Sequence, residues 1–73
     1  STVTLYTNTA TLNKTEIKGT LSIESTDPTP VLQLTDHSMV RDNVEFSKQA
    51  GIVKLSSESQ LMGNVVNGTK QSG

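Results

Sequence analysis

The sequence predicts an all-β fold wound as a solenoid, with coils of about 21–22 residues. Three observations carry this expectation. Residues 31–51, VLQLTDHSMVRDNVEFSKQAG, nearly coincide with residues 52–73, IVKLSSESQLMGNVVNGTKQSG. Within each copy, apolar and polar residues alternate, as in strands with one buried face. Val, Ile and Thr together number 21 of the 73 residues and no run has helical period, so the composition favours extended chain.

The elements follow in chain order. VTLY, TLNKTEIKG and TLSIES read as three short strands before Thr26. The stretch from Val3 to Pro30 is longer than one copy of the repeat, so residues 1–30 are expected to form a longer, irregular coil. TDPTP (26–30) reads as a turn or protruding loop, because Pro28 and Pro30 have no N–H to give a ladder. Residues 31–51 then form one coil and 52–73 the next. VLQL and IVKL send Leu32 and Leu34, or Val53 and Leu55, to one face, and Gln33 or Lys54 to the other. A polar tetrad follows, TDHS and then SSES, and a second strand turns Val40 and Val44, or Leu61 and Val65, inward.

Aligned with one extra residue near Gly68, the two copies share seven identities: Leu34/Leu55, Ser38/Ser59, Asn43/Asn64, Val44/Val65, Lys48/Lys70, Gln49/Gln71 and Gly51/Gly73. If each copy is one coil, these pairs stack at the sheet spacing of about 4.8 Å. Asn43 and Asn64 then form a structural ladder of stacked amides at a bend, where Asn tolerates left-handed φ. After Gly73 the pattern calls for another apolar strand, so the 73 residues are expected to be a piece of a longer fibrous chain.

Size sets the other limits. With 32% hydrophobic residues, one Phe, one Tyr and no Trp, a single small domain can bury little apolar surface. Cys is absent, which removes disulfides and thiolate metal sites. A single His without Cys gives no basis for a structural zinc site, and no metal or other cofactor is expected. Oligomerisation or membership of a longer chain remains as the route to stability. The net charge is −1 without runs of like charge, so no nucleic-acid face is expected. No apolar stretch approaches the ~18 residues of a membrane span, so no membrane insertion is expected.

The alternation, the coil length and the Asn at the bend in VRDNVEF and LMGNVVNG resemble the right-handed parallel β-helix of the pectate-lyase-like superfamily. A second stretch, SKQAGIVKLSS, is similar to the short repeat of T4-like phage tail fibres, which are intertwined trimers. The first resemblance implies coils made by one chain, and the second implies strands contributed by three. Both point to phage adhesion machinery, with tailspikes built on β-helices and fibres on interwoven β-structure.

Chemistry has few places to sit. The repeat stacks His37 over Glu58 and Asp36 over Ser57, so Asp36, His37 and Glu58 are the candidate residues of a sugar-binding groove. In tailspikes that cleave polysaccharide, paired acids on the helix face act as general acid and base or nucleophile. The competing reading is a solvated turn. Asp42 and Glu45 are the other acids of the repeat, and Asp42, just before Asn43, reads as a turn residue. No Ser lies in a nucleophile-elbow context, so His37 belongs to no triad, and no catalytic residue is assigned. Thr7, Thr9 and Thr11 resemble the Thr array of ice-binding solenoids, but later coils carry Asp36, Ser38, Ser57 and Ser59 instead. NKT (13–15) and NGT (67–69) match the N-glycosylation acceptor pattern. Arg41, Glu45, Met62 and Val66 are expected to face outward, with Met62 and Val66 suited to a subunit contact.

The expected function is a structural, receptor-facing segment of a phage tailspike or tail fibre. It would be a homotrimer in the virion tail that meets a host surface polysaccharide. Two alternatives are a fragment of a polysaccharide-degrading lyase or glycosidase, and an autotransporter-type adhesin on the bacterial surface.

Overall fold

A computed structural model describes residues 1–72. In chain order the strands are β1 (Thr2–Tyr6), β2 (Thr9–Asn13), β3 (Glu16–Ile17), β4 (Thr20–Glu24), β5 (Val31–Thr35), β6 (Met39–Val40), β7 (Val44–Ser47), β8 (Gly51–Leu55), β9 (Gln60–Leu61), β10 (Val65–Val66) and β11 (Gly68–Ser72). They form three parallel sheets, ordered β1-β4-β7-β10, β2-β5-β8-β11 and β3-β6-β9. Every third strand therefore returns to the same sheet, and the chain is a parallel β-solenoid of about three turns. The described residues contain no helix.

Each coil has three strands rather than two. The second strand read from the sequence is split, because Val40 ends β6, Val44 begins β7 and the chain turns a corner over Arg41–Asn43. The first thirty residues hold four strands, not three. β1, β2 and β3 make a full coil of their own, and Thr2 already pairs with Thr20 of β4.

The buried columns explain the alternation. Inward residues of successive coils pair in register: Leu5, Ile23 and Phe46; Ala10, Leu32 and Val53; Leu12, Leu34 and Leu55; Ile17, Val40 and Leu61. Leu21, Val44 and Val65 form a fifth column. Leu21, Ile23, Leu32, Leu34, Val40, Val44 and Val53 are fully buried, with Phe46 and Leu55 nearly so. The outward partners Gln33, Lys54, Met62 and Val66 are exposed. Glu45 is half-buried and Arg41 exposed.

The 21-residue repeat holds across all three sheets for one coil: Val31 pairs with Ile52, Val40 with Leu61 and Val44 with Val65. It then breaks. Gly68 pairs with Gly51 and Lys70 with Val53, because a single residue, Asn67, separates β10 from β11. The Lys48/Lys70 and Gln49/Gln71 identities are thus not stacked positions, and Gly73 lies outside the described residues. Gln71 instead lies against Lys54. The sequence alignment placed one insertion near Gly68 where the chain in fact shortens its corner.

That corner, between the first and second sheets, varies most. It is Thr7–Asn8 in the first coil, residues 25–30 in the second, residues 48–50 in the third and Asn67 in the fourth. Left-handed φ values fall at the corners, on Lys14, Thr29, Asp36, His37, Lys48 and Asn67. Asn43 and Asn64 are not among them.

Candidate functional site

The predicted site residues lie on the corner between the second and third sheets. β5 ends at Thr35 and β8 at Leu55, and their paired registers carry the following turns up one above the other. Asp36 and His37 occupy the turn of one coil and Glu58 that of the next. One ligand atom from each of these residues lies within 4.8 Å of the others. The juxtaposition of His37 with Glu58 follows from the 21-residue spacing.

Both Asp36 and His37 are left-handed, with φ of 57° and 65°. Asp tolerates this conformation better than most residues. Asp36 meets two cationic or ionisable neighbours: Lys14 Nζ at 3.7 Å, from the preceding coil, and His37 Nδ1 at 3.6 Å. Lys14 itself is left-handed and fills the matching corner of the first coil. Two carboxylates and an imidazole could together supply oxygen and nitrogen donors to a divalent cation. They could equally accept the hydroxyls of a sugar. A recess of about 320 Å³ opens beside them, bordered by Gln33, Thr35, Lys54, Leu55, Ser56, Gln71 and Ser72. Asp36 is half-buried and Glu58 exposed. A carboxyl general acid is made by burial, so this corner is better arranged to bind than to transfer protons.

Below the cluster lies a polar column whose importance the sequence did not reveal. Ser38 and Ser59 are buried. Ser38 Oγ donates to Thr35 O at 2.7 Å and accepts from Thr15 N at 3.2 Å. Ser59 Oγ accepts from Ser38 N at 3.2 Å and lies 2.9 Å from Ser56 Oγ. Each hydroxyl thus receives an N–H from the coil before it. The signal was the Ser38/Ser59 identity inside a tetrad otherwise read as solvated.

The Asn pair takes a different form from a ladder of amides. Asn43 Oδ1 accepts a hydrogen bond from the main-chain N of Asn64 at 2.8 Å, so the rung runs from side chain to backbone. Asp42 Oδ1 accepts from Asn43 N at 2.9 Å and closes this turn. The left-handed corner expected of these asparagines is found at Asn67, φ 60°, whose Nδ2 donates to Phe46 O at 3.1 Å.

A second concave feature sits on the variable corner. An open recess of about 310 Å³ is bordered by Tyr6, Thr7, Asn8, Glu24, Ser25, Thr26, Asp27 and Lys48. Tyr6, the last residue of β1, is 78% exposed. Ser25 is buried; its Oγ accepts from Asp27 N at 3.1 Å and donates its one hydrogen to Asn8 Oδ1 at 3.2 Å, with Asp27 O at 3.1 Å the competing acceptor. Glu24 pairs with Lys48 at 3.5 Å.

No family model matches the sequence, and neither the curated proteins nor the solved structures compared with it give a match.

Proposed function

We propose that the chain is a structural, receptor-facing segment of a phage tailspike or tail fibre, working as a homotrimer that meets a host surface glycan. The observation that carries this reading is the parallel solenoid itself, with polar outward columns and the Asp36, His37 and Glu58 corner. A stack of hydrogen-bonded coils gives a stiff shaft whose side chains stand at fixed spacing along its axis. Gln33, Lys54 and Gln71 line one outward column beside the recess, as hydroxyl recognition requires. Met62, 61% exposed, and Val66, 45% exposed, lie outside the core near the corner that joins the third sheet to the first, and supply apolar area for a lateral contact between copies.

Mass in solution tests the trimer, by light scattering with multi-angle detection. Three times the chain mass is expected, and a clean monomer would sink the shaft reading. Retention of the chain on polysaccharide-coated beads tests the glycan role, with Asp36→Asn and Glu58→Gln expected to weaken it.

The closeness of the Asp36 and Glu58 donors is the one feature on the side of a second reading, a fragment of a glycoside-cleaving β-helix, and their exposure stands against it. Retaining enzymes hold two carboxyls about 5–5.5 Å apart. Loss of reducing-end release in the Glu58→Gln variant would mark that activity.

A further inference from the structure

We propose that the recess at the corner between the first and second sheets binds a neutral pyranose ring stacked on Tyr6. The inference deepens the glycan reading above and rests on it. It locates a subsite on a corner separated from Asp36, His37 and Glu58 by the whole width of the second sheet.

The recess exists because one coil carries an insertion. The first coil crosses this corner in two residues and the second in six, and Ser25, Thr26 and Asp27 of the longer crossing form one wall. Insertions in a solenoid cost little stacking and gather on the face used for binding. This one is fixed from within. The buried Ser25 hydroxyl ties the loop to Asn8 on one side and to the Asp27 backbone on the other. Pro30 is fully buried and rejoins the stack by accepting from Ile52 N at 2.9 Å. A ligand therefore meets a wall that is already in place, which lowers the ordering cost of binding.

The lining selects the ligand class. Tyr6 offers an open aromatic face with a polar tip, a surface suited to the C–H face of a sugar ring. The Asp27 carboxylate has no ion-pair partner among the described residues and can accept two adjacent hydroxyls. Asn8 Oδ1 accepts from the Ser25 hydroxyl, and its amide nitrogen donates to no protein group among the described residues. Two carboxylates, Glu24 and Asp27, and one ammonium, Lys48, line the recess, and Lys48 is paired with Glu24. The local balance is negative and excludes uronates and other acidic sugars. At about 310 Å³ the recess is at the small end of ligand sites, which run from roughly 300 to 1,000 Å³. That matches a terminal ring rather than a long chain.

Tyr6 is the single Tyr and there is no Trp, so intrinsic fluorescence reports this corner alone. Titration with methyl glucosides, galactosides and mannosides should give a saturable change for at least one of them. The matching methyl uronate should bind at least ~10-fold more weakly at neutral pH. Asp27→Asn keeps the loop backbone and should weaken the neutral ligand at least ~10-fold with an unchanged unfolding midpoint. No saturable change with any neutral pyranoside would overturn the proposal. So would equal binding of the uronate, or undiminished binding by Asp27→Asn. Polysaccharide-coated beads separate the two readings. Equal retention of wild type and Tyr6→Ala sinks the recess and leaves attachment standing. Pyranosides that titrate Tyr6 in a chain the beads do not retain support the recess and sink attachment.

Discussion

At the scale of single residues, the hydroxyl of Ser38 does more for the stack than its position in a polar turn announces. It satisfies the Thr15 N–H of the coil before it while donating to Thr35 O. Removing it leaves the half-buried Thr15 N–H without its protein partner, which costs about 1 kcal/mol. Ser38→Ala should therefore lower the denaturation midpoint clearly, whereas Ser57→Ala on the exposed side of the next turn should change it little. Glu16 makes a different kind of contribution. The hydrogen bond and charge of Arg41 hold its carboxyl below the ordinary 4.5, with a smaller contribution from Lys18. A depressed carboxylate pKa favours the folded state above the unfolded value. That contribution is lost as pH falls below about 4.5 and through the folded value. The pair is at the surface, so the effect is small and screened by salt. Acid titration of stability should fall less steeply for Glu16→Gln than for the wild type, and a steeper fall would contradict the sign.

At the scale of elements, the join between β7 and β8 depends on the absence of a side chain. A methyl group at Gly51 would come within 2.4 Å of the Phe46 ring and 2.7 Å of Pro30 O, and one at Gly68 within 2.8 Å of the same ring. Two glycines paired in neighbouring coils thus leave room for the largest core side chain, one edge of the Phe46 ring towards Gly51 and the other towards Gly68. Gly51→Ala should cost about 1–3 kcal/mol by overpacking, and the penalty should shrink in a Phe46→Leu background. An undiminished penalty there would place the strain against Pro30 instead. The same strands show which parts of the fold could be read from sequence. Leu32, Leu34, Val53 and Leu55 alternate without interruption, and their inward face was legible. Asp36, His37 and Glu58 were legible as neighbours because the spacing of 21 residues is constant on both sides of their turns. The three-sheet cross-section was not, since β3, β6 and β9 have two residues each, too few to show any period. The corners were also hidden, because their lengths follow packing against the coil below rather than a residue pattern. Asn67 shows this best: its left-handed turn replaces the three-residue corner of the coil before it, and the copied KQ motif slides out of register. The recess beside Tyr6 stayed invisible for the same reason, since only the fold brings residue 6 against residues 25–27 and 48.

At the scale of the whole molecule, each coil is held chiefly by its neighbours, so stability should be graded along the axis. Amide exchange of the 73-residue chain should be slowest in β4, β5, β7 and β8, whose strands are paired on both sides, and faster in β1, β2, β10 and β11. Uniform protection would contradict this grading, since the lateral contact proposed through Met62 and Val66 leaves the edges of the terminal coils open. The insertion at residues 25–30 has a further consequence, for change rather than for stability. The chain leaves the stack where Thr7 N meets Glu24 O and returns where Val31 N meets Asn8 O, each at a normal hydrogen-bond length of 2.9–3.0 Å. Between those two fixed points the exposed residues 26–29 lie outside the ladder, while Ser25 and Pro30 stay buried against the stack. Doubling the length of such a loop costs only about 0.6 kcal/mol in closure entropy. The corner is therefore a splice point, at which foreign peptides could be grafted and ligand preference could drift while the coils beneath keep their register.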